Sequence, residues 1–218
     1  MQNFLKPIHA LAWLALAGAA QAATVQVTVL ARDGKPLADA VVVLEPASGQ
    51  ALRAPAPVQA TITQQKMQFF PAVSVLPVGS RVRFTNQDRW EHHVRGTPAG
   101  LAGLNAPAQA GFELRLAGQL EGQEPSSADV TLDKAGAFQL GCHLHGSMRG
   151  FVYVANTPWA VKTGADGVAM LQDVPEGAAR VRVWHADQLL ELPATSISVL
   201  PVTALSVPTQ VVPRRRRL

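Results

Sequence analysis

One short stretch, "LGCHLHGSMRG" at residues 140–150, gathers a thiol, two imidazoles and a thioether: Cys142, His143, His145 and Met148. Cys142 is the only cysteine in the chain. Thiolate, imidazole and thioether are the soft-to-intermediate donors that suit copper cycling between Cu(I) and Cu(II). A trigonal set of two histidines and one cysteine, with a weak axial methionine, is the arrangement of electron-transfer sites. Such a set needs a further histidine from elsewhere in the chain, and "FTNQDRWEHHVRG" (84–96) offers His92 and His93. The 50 residues from His92 to Cys142 leave room for several strands to bring the chain back to the same end of a sandwich. On an alternating strand neighbours point to opposite faces, so His92 and His93 cannot both ligate. His143, adjacent to Cys142, is the more awkward of the two loop histidines.

The donors must be carried by strands. The runs "TVQVTVLA" (24–31), "SRVRFTN" (80–86), "GFVYVAN" (150–156) and "ARVRVWH" (179–185) each put apolar side chains on one face. Sixteen prolines and 17 glycines among 218 residues, 48% of them hydrophobic, punctuate many short strands around a real core. An all-β fold follows. The ligand-rich loop then lies between two strands, in "FQLGCHLHGSMRGFVYV" (138–154). "GTPAGLAGLNAPAQAG" (96–111) is a small-residue loop too long for a simple hairpin.

Residues 1–22 have the form of a cleavable export signal: Lys6 in the positive segment, "IHALAWLALAGAA" (8–20) as the apolar run, and small residues at "AQA" (20–22). The apolar run is short for a membrane span, which takes about 20 residues. The expectation is cleavage after Ala22, a periplasmic location and no integral span thereafter. Oxidising compartments favour paired cysteines, so a single cysteine in an exported chain asks for another role.

The formal net charge of +4 is misleading. Lys6 lies in the signal and four arginines lie at 214–217 in the terminal "RRRRL", which leaves the body close to neutral. No basic stripe interleaved with aromatics is present, and a nucleic-acid partner is not expected. Residues 193–218 read as a C-terminal tail, its arginines either solvated or a hook for an acidic partner or a lipid surface.

At the donor residues the chain resembles the cupredoxins. Cys142-x2-His145-x2-Met148 followed by Arg149-Gly150 is similar to the short loop of the amicyanin branch, where plastocyanins have a longer gap. "FFPAVSVLPVGSRVRFTNQDRWEHHV" resembles the segment leading to the first cupredoxin histidine. "DGKPL", "HHV", Phe112–Gly118 and "VWH" extend the resemblance to the bacterial secreted cupredoxin-like proteins labelled "methylamine utilization protein". The flanking blocks resemble the carboxypeptidase regulatory-like β-sandwiches, on Asp33, Gly34, Pro36, Leu37 and Ala40 in the first and Asp166, Gly167, Pro175 and Gly177 in the second.

The resemblance implies a Greek-key cupredoxin β-sandwich over residues 58–156 and an accessory small β-sandwich made of segments 23–57 and 157–192. It implies one mononuclear type 1 copper site held by His92, Cys142, His145 and Met148, with His93 and His143 as alternates. Asn86 lies in the region expected to hydrogen-bond the thiolate, and Leu144, Gly146 and the 97–108 loop are expected to ring the exposed edge of His145. Five histidines beyond the signal are too few for a multicopper oxidase cluster, and one cysteine is too few for a binuclear copper site. The expected function is transfer of single electrons to a redox partner such as a c-type cytochrome or a dehydrogenase, without catalysis. Copper carriage or buffering in the periplasm is a second reading, and a metal-free β-sandwich interaction module a third.

Overall fold

Alternating apolar and polar residues at period two form strands along nearly the whole chain. The structure, a computed structural model, describes residues 22–47, 54–107, 110–188 and 190–214. The segment expected to be a signal, up to residue 21, and Arg215–Arg217 of the arginine run lie outside the described residues. The described strands are β1 (Ala22–Leu30), β2 (Val41–Pro46), β3 (Gln59–Gln65), β4 (Gln68–Phe70), β5 (Val73–Pro77), β6 (Ser80–Asn86), β7 (His92–Pro98), β8 (Phe112–Leu116), β9 (Ser126–Leu132), β10 (Gly136–Cys142), β11 (Arg149–Ala155), β12 (Ala160–Lys162), β13 (Val168–Pro175), β14 (Gly177–Trp184), β15 (Thr195–Val199) and β16 (Val202–Pro208). A four-residue helix, α1 (Leu101–Leu104), follows β7. Among the described residues no helix is long and apolar enough to cross a membrane.

The fold is all-β, as the alternation predicts. Two sheets from the middle of the chain, β5-β11-β10-β7-β8 and β4-β3-β6-β9, face one another. The chain passes between them in Greek-key fashion. Ile62, Val82, Phe84, Val94, Leu116, Leu140, Val152 and Val154 fill the space between, together with Cys142 and Met148. Each large apolar side chain buried there stabilises the sandwich by roughly 1.5–3 kcal/mol before entropy is counted. The candidate donors therefore grow out of the rim of a packed core.

The flanking segments build the accessory β-sandwich, with sheets β13-β1-β16 and β12-β2-β14-β15 around Val25, Val27, Leu44, Leu171, Val181 and their neighbours. Here the expectation for residues 193–218 is corrected. Residues 195–199 and 202–208 are not a tail. β15 pairs antiparallel with β14, and β16 pairs parallel with β1 from Thr24↔Val202 to Leu30↔Pro208. Val199, Val207 and Val211 enter the accessory core, which is the physical reason for their order. Even Arg214 is tied down, its N–H donating to Asp187 Oδ2 at 2.9 Å.

The two sandwiches meet through a small apolar contact. Val41 and Val43 of β2 lie with Val73 of β5, flanked by Phe151, Tyr153 and Trp184. The Trp184 ring stands 5.7 Å from that of Phe151 and 5.8 Å from that of Tyr153.

Strand register fixes which end of the central sandwich carries the donors. Cys142 closes β10 opposite Val94, and His92 opens β7 opposite Leu116. The far end of the same ladder pairs Phe138 with Pro98. The 96–111 loop therefore leaves the opposite end of the sheet, and the expectation that residues 97–108 ring His145 is overturned. α1 occupies part of that loop.

Candidate metal centre

Three strand ends and one loop converge on the donors. His92 is the first residue of β7, Cys142 the last of β10, and Met148 directly precedes β11. The loop between β10 and β11 is pinned twice: the His143 N–H donates to His93 O at 3.0 Å, and the Met148 N–H to His145 O at 2.9 Å. The second bond closes a turn that swings His145 back over Cys142.

The result is a compact triangle. His92 Nδ1 lies 3.1 Å from His145 Nδ1, and Cys142 Sγ lies 3.6 Å and 3.5 Å from those two atoms. A point equidistant from the three atoms is about 2 Å from each, close to the usual metal–nitrogen distance of about 2.0–2.1 Å. Among the described residues this is the one group of His, Cys, Asp or Glu side chains gathered closely enough to hold a metal ion. The His92 and His145 rings meet edge to face, 4.8 Å apart. His92 is fully buried and Cys142 nearly so, whereas His145 is half-buried. Met148 is buried in the core beside them, 2% exposed.

Asp88, which the sequence reading missed, is central to this arrangement. Its Oδ2 lies 2.9 Å from His92 Nε2. A proton on Nε2, donated to that carboxylate, leaves the Nδ1 lone pair directed at the triangle. The Lys66 and Met67 N–H groups donate to the two Asp88 oxygens at 2.6 and 2.9 Å. Both residues have left-handed backbone, φ 52° and 57°, in the turn between β3 and β4. Non-glycine residues in that conformation cost about 1 kcal/mol or more each, and the bonds to the carboxylate offset it. Burial pushes the Asp88 carboxyl up, but the Met67 N–H, the His92 ring and the Lys66 N–H together hold it below its ordinary value.

Asn86 does something other than bond the sulfur. Its Nδ2 group donates to the carbonyls of Trp90, Leu116 and Ala117, and its Oδ1 accepts the Asp88 N–H at 2.9 Å. It ties the end of β6 to the end of β8 and sets the connection that delivers Asp88 and His92. Of the Asn86 region and nearby amides expected to bond the thiolate, the Asn86 side-chain amide is committed to three carbonyls instead.

His93 and His143 lie outside the triangle. Alternation along β7 turns His93 to the outer face, where its ring stacks on that of His143 with centroids 5.0 Å apart and planes 24° apart. His93 Nε2 also approaches Glu113 Oε2 at 3.5 Å. Large apolar side chains stand exposed at the donor end, among charged neighbours such as Lys66, Arg89 and Glu91. Met67, Trp90, Leu120 and Leu144, all in connections at that end, are 43, 45, 60 and 54% exposed.

No protein-family model matches the chain, and comparison with curated proteins finds no match. Among solved structures, a copper-containing nitrite reductase from Thermus scotoductus SA-01 is similar at 22% identity with a TM-score of 0.35, over 51% of this chain and 25% of that one. The chain thus spans about a quarter of that protein's length. An oxidized mutant of amicyanin is similar at 20% identity with a TM-score of 0.35, over 54% of this chain and 99% of the other. A second oxidized amicyanin mutant is similar at 25% identity with a TM-score of 0.33, over 52% and 92%.

Proposed function

We propose that this chain is a periplasmic type 1 copper protein that carries single electrons between redox partners and is not an enzyme. The observation that carries the reading is the triangle of His92 Nδ1, Cys142 Sγ and His145 Nδ1, with sides of 3.1, 3.5 and 3.6 Å. Two imidazoles and one thiolate around a point about 2 Å from each fit a first-row metal, and the sulfur favours copper. Met148, buried and three residues beyond His145, would be a further, weakly held donor to the metal. Copper held there would supply one-electron exchange between Cu(I) and Cu(II).

The chain's own residues do the rest. Cys142 gives up its Sγ proton on metal binding, as thiol ligands must. Asp88 holds the His92 proton on Nε2, so Nδ1 presents its lone pair in either oxidation state. The ladders of β7, β10 and β11 fix the strand ends that carry the donors, so little rearrangement accompanies each electron. His145, the half-buried member, is assigned as the electron port. Trp90, Leu120 and Leu144 around that end offer a small apolar contact of the kind brief redox encounters use. A c-type cytochrome or a dehydrogenase fits as partner. The apolar run 8–20 with small residues at "AQA" (20–22) supports export.

A second reading, copper carriage, is favoured by one observation: the exposed His143 stacked on His93 beside Glu113, a pair of imidazoles each one residue along the chain from a buried donor. Addition of copper(II) to metal-free protein separates the readings. Electron transfer expects an intense visible band that disappears in Cys142→Ala, followed by stopped-flow electron exchange with a c-type cytochrome. A colourless complex that holds only Cu(I) sinks electron transfer in favour of carriage. Absence of binding leaves the interaction module.

A further inference from the structure

The geometry points to Gln64 as the group that hydrogen-bonds the Cys142 sulfur in the metal-loaded protein, a positioning residue that sets the balance between the two copper oxidation states. This rests on the copper reading above. Gln64 is fully buried, and among the described residues its Nε2 and Oε1 are the buried side-chain polar atoms that find no hydrogen-bond partner. Buried amides are almost always bonded, so a pair of orphan atoms on one side chain asks what uses them.

Placement supplies the answer. Gln64 projects inward from β3 on the same face as Ile62 of the central core. It stands two residues before Lys66, whose N–H holds the Asp88 carboxylate that in turn meets His92. In its own sheet Gln64 lies between Phe69 of β4 and Asn86 of β6. The Phe69 side chain lies against Gly150 near the start of β11, close enough that a Cβ there would meet it at 3.0 Å. The Asn86 amide reaches the carbonyls of Leu116 and Ala117 at the end of β8. In the facing sheet, the strands between β11 and β8 are β10 and β7, which end on Cys142 and begin on His92. Gln64 thus enters the interlayer space opposite the strand ends that carry those two residues.

The chemistry of the sulfur matches. Among the described residues Cys142 Sγ has His92 Nδ1 and His145 Nδ1 as its polar contacts. With both nitrogens given to a metal, the sulfur would keep no side-chain hydrogen-bond partner among the described residues. Asn86 cannot serve, its amide being committed elsewhere. The Gln64 amide has two N–H groups to give. An N–H donor draws electron density from the sulfur, which favours Cu(I) over Cu(II). The orphan state of Gln64 in the metal-free protein and its use in the loaded one are two sides of one arrangement.

Gln64→Leu and Gln64→Met test this, both apolar and close in volume. The metal-free variants are expected to unfold at higher urea than wild type, since an unsatisfied amide has been removed. The copper-loaded variants are expected to bind Cu(II) about tenfold better relative to Cu(I), a fall in potential of about 59 mV for one electron, with a shifted visible band. A lowered potential with a shifted band is what a merely structural role would not produce. A potential and band equal to wild type in both variants overturns the inference. So does a metal-free protein that becomes less stable, because the amide is then already satisfied by water. A wild-type protein that takes up no copper overturns the copper reading together with this role, whereas a blue wild type with unresponsive variants overturns this role alone.

Discussion

At the Asp88 carboxylate three donors converge, two from a turn in left-handed backbone and one from the His92 ring. Asparagine at this position offers a single acceptor and turns an NH2 group toward one of the donors. Asp88→Asn should therefore cost the metal-free protein about 2 kcal/mol, the usual penalty for a buried donor left unpaired, read as a lower urea midpoint. The pH dependence has a definite sign. The folded carboxyl lies below its ordinary value of 3.8, so its contribution is complete above that value and lost as pH falls through the folded one. Asp88→Asn should lose less stability than wild type as pH falls below 3.8, in acid titrations followed by circular dichroism. The residue types at Cys142 and His145 make their chemistry legible in the sequence, and the alternation along β7 separates His92 from His93. Asp88 and Gln64 are not legible in that way. Their roles depend on a turn and a facing sheet far along the chain, although an acid four residues before a candidate ligand is a signal that could have found Asp88.

The connection between β6 and β7 is the element that delivers both Asp88 and His92, and it is held from outside as well as within. Asn86 anchors it to the end of β8, and the Gln119 N–H donates to Asp88 O at 2.7 Å. Gly118 lets these segments approach: a Cβ there would lie 2.1 Å from Arg89 O and 2.9 Å from Trp90 N. Both obstacles are backbone, so no side chain can rotate away. Gly118→Ala should destabilise the metal-free protein by about 1–3 kcal/mol, the range for overpacking. In NMR spectra it should move the His92 ring signals more than those of residues at the Phe138 end; unmoved His92 signals would show that the connection tolerates the displacement. Elements such as β6 and β11 are legible because period-two alternation is local. Which end of the sheet receives the 96–111 loop is not local information. It follows from the antiparallel register of β7 with β10, where Phe138↔Pro98 and Cys142↔Val94 stand four residues apart along each strand.

Over the whole molecule, the chain closes one sandwich inside the other. β1 and β2 precede the central sheets, and β12 to β16 return to complete what those two strands begin. The paired "DGKP" and "PEG" turns make the joining of the two flanking segments legible. The last two strands are hidden, because Pro201 interrupts them and β15 buries chiefly Val199. Only three-dimensional pairing shows that β1 gains its second neighbour from β16. Each sandwich has its own apolar core, and the shared contact around Val41, Val43 and Val73 is small beside either. Val207→Asp tests how far they are independent. Val207 is 8% exposed, in the accessory core, opposite Val29. A carboxylate there would stand among the apolar side chains of the accessory core, and an uncompensated buried charge costs about 3–5 kcal/mol. Amide signals of Val25, Leu171 and Val199 should lose dispersion in heteronuclear NMR spectra, while those of Val82, Leu140 and Val152 keep theirs and copper uptake by the His92–Cys142–His145 group persists. Collapse of both sets of signals together would mean that the accessory sandwich is required for the site, and that the small contact between the modules couples them into a single folding unit.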